Sequence, residues 1–234
     1  MRMLRSAFAV LFFAALLLTG CQQLFTTSLA AAFARKSIPI PSNLSTSQAS
    51  DLAAQAKSTQ DTQLAAALVS SLNTEIAGTT DPATLASLKQ SAAEAAVVAS
   101  NAGGTVMTAL SAFASGTTPS SSQISSIVTQ LQAGTTASIL TALAYLDPST
   151  SNPAAVNVSA VNATDYVLAA AVIAASALPP GVDPSTLNGS TTPTLTAYQT
   201  SPQVVQANKI ITAATSLPGV VSSSVTQLAS FLNT

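Results

Sequence analysis

The feature that most constrains this chain is the regular alternation of Ala-rich apolar runs with Pro and Gly. Of the twelve prolines, none falls inside an apolar run. Alanine is the strongest helix former, and proline is tolerated at a helix start but breaks a helix interior. A chain punctuated this way has one economical solution, a set of short helices that begin near Pro and end near Gly. About 42 of the residues from 21 onward are Ala and only eight are Gly. Small side chains let helix backbones approach closely, toward the short end of the usual 8–10 Å spacing. The expected fold is an all-α, compact Ala-rich multi-helix bundle of roughly eight to ten short helices.

The spacing predicts the individual segments. Gln22–Lys36 places Leu29 and Phe33 on the face of Phe25, with Arg35 and Lys36 at a favourable C-terminal end. Ser47–Lys57 is short and weakly patterned. Asp61–Ile76 carries a Leu64, Leu68, Leu72 stripe and stops at Gly78. Asp81-Pro82 opens a helix along Leu85, Leu88, Ala92, Ala95 and Ala99, with Gly103-Gly104 expected to close it. Further helices are expected over Thr105–Ser115, Ser120–Ala133 (closed by Gly134), Thr136–Leu146, Asn162–Leu178 and Ser201–Leu217. A last one should carry Val221, Val225, Leu228, Phe231 and Leu232. Asp147–Ala160 and Val182–Thr200 read as irregular. The Ser, Thr and Val residues at 154–161 and 191–200 would also permit short strands.

The first 20 residues stand apart. Arg2 and Arg5 precede an unbroken apolar run, Ala7–Leu18, of the length of a secretory signal and too short for a transmembrane helix of about 20 apolar residues. The run ends Leu18-Thr19-Gly20-Cys21. That tetrapeptide resembles the lipobox of bacterial lipoprotein precursors: a branched apolar residue, a small residue, Gly or Ala, then Cys. The resemblance covers only residues 1–21. It implies diacylglycerol on the Cys21 thiol, cleavage between Gly20 and Cys21, and acylation of the new amino group. Residues 1–20 are then the signal peptide and 21–234 a single helical domain. Cys21 is the only cysteine, so no intramolecular disulfide is available and a modification site explains it better than a buried thiol. Three acyl chains burying roughly 40 methylenes at about 0.8 kcal/mol each would hold the protein permanently, anchored rather than spanning. Gln22 stands where an Asp commonly retains Gram-negative lipoproteins at the inner membrane. Its presence favours the outer membrane, facing the periplasm or the surface.

Composition excludes more chemistry than it suggests. There is no His, which removes Ser-His-Asp and Cys-His catalysis and His-ligated zinc or haem. An acylated Cys21 removes thiolate and iron–sulfur chemistry. No Gly-rich phosphate loop is present. Seven basic residues stand against eight acidic ones with no basic patch, so neither nucleic acid nor anionic lipid has an electrostatic footprint. A carboxylate-pair hydrolase remains formally open. However, Asp81, Asp147 and Asp183 precede Pro, and Asp165 sits in a first helical turn, so capping accounts for all four. Tyr145, Tyr166 and Tyr198 could line a ligand site, although packed tyrosines with satisfied hydroxyls are commoner.

Asp-Pro-Ala-Thr at 81–84 and Asp-Pro-Ser-Thr at 147–150 and 183–186 nearly repeat. They fit either irregular helical-hairpin repeats or reuse of a good helix cap. The expectation is a non-enzymatic, cofactor-free lipoprotein of the cell envelope. Its role would be structural or in protein interaction, with an envelope protein as partner. The alternative is a helical lipoprotein that binds a small apolar ligand or solute for an envelope transport system. The first expects an exposed apolar groove; the second expects a closed pocket.

Overall fold

The computed structural model describes residues 40–104, 106, 120–148, 163–179 and 193–215, all within the compact unit Pro39–Thr234. Among these residues the fold is all-α, without strands. The helices are α1 (Thr46–Thr59), α2 (Thr62–Gly78), α3 (Pro82–Ala99), α4 (Ser121–Ala133), α5 (Ala137–Ala144), α6 (Ala163–Ala177), α7 (Pro193–Gln199) and α8 (Pro202–Thr215).

Their starts follow from local hydrogen-bond chemistry. A helix leaves its first amide N–H groups without partners, and a short polar side chain at the cap accepts from them. Ser45 and Ser120 each form a reciprocal capping box, with Gln48 and Gln123 respectively. Asp61 Oδ1 accepts from the amides of Gln63 and Leu64, both at 3.0 Å. Asp81 caps α3 with Pro82 in the first turn, as its sequence predicts. Hydrogen bonds from Thr84 hold the Asp81 carboxyl below its ordinary range.

The ends are less obedient to glycine. Gly78 is the last residue of α2 rather than its stop. The Gly103-Gly104 pair does not close α3. That helix ends at Ser100, whose hydroxyl turns back to the Val97 carbonyl, and Asn101 takes the left-handed conformation at φ 54°. Asn tolerates that region better than most residues. Residues 102–104 are already helical again. Where the sequence allows short strands near 191–200, the described residues Pro193–Gln199 form helix α7 instead. Residues 154–161, the segments 22–36 and 221–232, and Asp183 with its Asp-Pro-Ser-Thr lie outside the described residues.

Two helices organise the packing. α3 lies against α1, α2, α5 and α6, and its second half, from Ala92 to Ser100, is buried apart from Glu94. Only Ala, Ser and Val there could sit inside so many neighbours at once. α6 packs on α8, α4, α3 and α5, and is buried from Asp165 through Ala175. Leu68, Leu72, Leu88, Leu143, Ile173 and Ile210 are sealed from solvent. Each contributes roughly 1.5–3 kcal/mol of transfer free energy. At 15 residues, α6 is about 22 Å long, short of a bilayer's hydrocarbon core of about 30 Å. No described helix is long and apolar enough to cross a membrane.

Candidate functional site

Gly20 and Cys21 lie outside the described residues. Within them, two groups of polar side chains include buried charged residues, Asp165 and Lys89.

The first is a cluster across α1, α3 and α6. Lys57, in the last turn of α1, places its Nζ 2.6 Å from Asp165 Oδ2 in the first turn of α6. The Asp165 side chain is only 5% exposed and that of Lys57 is 40% exposed. Glu94 of α3 belongs to the same cluster: burial raises its pKa first of all, and the Asp165 charge adds to the rise. The Gln90 hydrogen bond (3.2 Å) and the Lys57 charge oppose it. The sequence reading of Asp165 as a capping residue is therefore incomplete. It does stand in a first helical turn, but its carboxylate answers a lysine 108 residues away.

This arrangement brings two carboxylates within reach of one another's charge. A hydrolase pair needs one carboxyl ready to give a proton and one open to water or substrate. Asp165 is buried and bound by an ammonium, which ties α1 to α6. No group of three or more His, Cys, Asp or Glu among the described residues could hold a metal ion.

The second group joins α2, α3 and the end of α5. Lys89 is a buried residue of α3, 6% exposed, with its Nζ 5.4 Å from the centre of the Tyr145 ring. A cation over an aromatic face gains roughly 0.5–2 kcal/mol, more as water is excluded. Tyr145 is held in place by its hydroxyl, which donates to Asn73 Oδ1 at 3.1 Å; the Asn73 amide donates to the Ser138 carbonyl at 2.9 Å. Burial pushes the Lys89 pKa down and the Tyr145 pKa up. The phenol thus stays neutral and meets Lys89 with its ring rather than with an anion. Neither Lys57–Asp165 nor Lys89–Tyr145 has a local signal in sequence.

The three tyrosines, weighed as ligand-lining residues, stand on different elements: Tyr145 ends α5, Tyr166 is on α6 and Tyr198 on α7. Tyr145 is packed with its hydroxyl satisfied. Tyr198 on α7 is buried, its pKa pushed up to about 12 by desolvation. Tyr166 on α6 is fully buried, and its hydroxyl has no hydrogen-bond partner.

The described surface is largely uncharged. α4 shows solvent Ser122, Gln123, Ser126, Thr129 and Gln130. Val205 is the one large apolar side chain exposed among the described residues. Comparison with protein-family models, with curated proteins and with solved structures finds no match.

Proposed function

We propose that this chain is a lipoprotein precursor, cut between Gly20 and Cys21 and held to a membrane of the cell envelope by lipid on Cys21. Its helical domain would serve there as a non-enzymatic structural or protein-interaction element. One observation carries the reading: Leu18-Thr19-Gly20-Cys21 directly follows an apolar run preceded by two arginines, and Cys21 is the chain's only cysteine. The fold is compatible with a lipid anchor, since no described helix could replace it as a span. The polar, weakly charged face of α4 suits a wet contact with an envelope protein, in which hydrogen bonds set the register.

The alternative, binding of a small solute, draws on the Tyr166 hydroxyl, a buried donor without a partner in helix α6. A ligand with one acceptor among apolar atoms would satisfy it.

The test of the leading reading is fractionation of cells expressing the wild-type chain and Cys21→Ser. The wild type should stay with the membranes through a high-salt wash and leave only with detergent, whereas the variant should be soluble or retained as precursor. Identical partition of the two would remove the anchor and the envelope assignment with it.

A further inference from the structure

Helix α1 is attached to the rest of the fold in an unusual way. Its buried side chains are Ala49, Ala53 and Ala56, which bring little apolar area to the contact with α2 and α3. Its other hydroxyl and amide bonds are local: Ser58 and Thr59 both donate to the Gln55 carbonyl, and Gln60 Nε2 donates to that of Lys57 at 2.6 Å. Among the described residues, the polar tie from α1 to another helix is Lys57 to Asp165. Ahead of α1, the chain is held by buried Leu44 and by Ser71, whose hydroxyl donates to the Pro41 carbonyl at 3.3 Å. Behind it, α1 joins α2 through Gln60, at φ 54°, a left-handed position where a residue with a Cβ is strained.

We propose that α1 is a strap that detaches locally between its two fixed ends, Leu44 and Gln60, and that the Lys57–Asp165 pair is its catch. The catch reaches α6, a helix with which α1 otherwise has little contact, so the pair links the strap to the second centre of packing. Glu94 beside it gives the ammonium a second carboxylate to answer on α3. Because the Lys57 side chain is 40% exposed, salt reaches the pair and weakens it. Opening uncovers the face of α3 that α1 packs against, while the α6–α8 half stays closed. This inference stands independently of the anchor at Cys21.

Hydrogen exchange on the purified full chain tests it. The variant is Lys57→Ala with Asp165→Asn, which removes both charges of the pair, so that Asp165 is not left as an unpaired buried carboxylate. Alanine is a better helix former than lysine, so faster exchange could not come from a loss of propensity at position 57. Amides of residues 46–59 should exchange about tenfold faster than in wild type, a shift equivalent to roughly 1.4 kcal/mol. Those of α6 and α8 should change less than twofold. Raising the salt should speed exchange in α1 of the wild type but not of the variant. Unchanged exchange in α1, or equal acceleration across all helices, would overturn the strap.

Discussion

Replacing Tyr166 by Phe should stabilise the domain, contrary to the usual outcome of a core substitution. Tyr166 is fully buried in α6 and its hydroxyl has no partner. In the unfolded chain that hydroxyl hydrogen-bonds with water, and folding removes the bond without replacing it. Such a loss costs roughly 1–3 kcal/mol. Burial alone raises the Tyr166 pKa, which fits an environment without compensating polar groups. Phenylalanine keeps the ring and its contacts and gives up one oxygen, worth a few tenths of a kcal/mol of dispersion. The net expectation is a gain of about 1–2 kcal/mol, or roughly 2–8 °C in Tm for a domain of this size. Urea unfolding followed by circular dichroism reads it as a higher midpoint at unchanged slope. Tyr145→Phe is the matched control: its hydroxyl is bonded to Asn73, so the same change there should cost about 1 kcal/mol. A Tyr166→Phe variant destabilised like the Tyr145 control would refute the reasoning and show that a water or ligand satisfies the hydroxyl.

Other outcomes follow from the same packing. Glu94 has a folded pKa raised above 4.5, chiefly by burial, so its ionised form opposes folding at neutral pH. Stability should rise as pH falls through that raised value toward 4.5, and Glu94→Gln should raise neutral-pH stability and abolish that part of the pH dependence in urea titrations. Gly134→Ala should destabilise by roughly 1–3 kcal/mol, because a Cβ there would stand 2.7 Å from the Ser100 carbonyl oxygen. Gly78→Ala, with nothing within 4 Å at the end of α2, should instead gain about 0.5–1 kcal/mol in the same denaturation assay.

What was legible in the sequence is what local chemistry decides. Asp61, Asp81, Ser120 and Thr136 act within four residues of themselves, and the helices they open stand where their spacing puts them. Gly134 caps α4 as its position suggests. Gly103-Gly104 misled because Ser100 and Asn101 had already ended α3 by side-chain and left-handed backbone chemistry that many residue pairs could supply. Helix α7 was hidden by Thr and Pro, weak helix formers whose preference is overridden once Tyr198 is buried. The polar cluster was illegible for a different reason. Lys57 and Asp165 are 108 residues apart, and nothing in either neighbourhood marks its partner. Asp165 in a first turn looks like any favourable helix-start acid. Lys89 likewise has only its charge to advertise it in sequence, and its burial against the Tyr145 ring comes from a residue 56 positions away.

The central claim is the lipid on Cys21, and the intact mass of the protein extracted from membranes addresses it directly. The account predicts a chain that begins at Cys21, lacks residues 1–20, and carries the added mass of a diacylglycerol with a further acyl group. A mass equal to the unmodified chain, or one that retains residues 1–20, would contradict it.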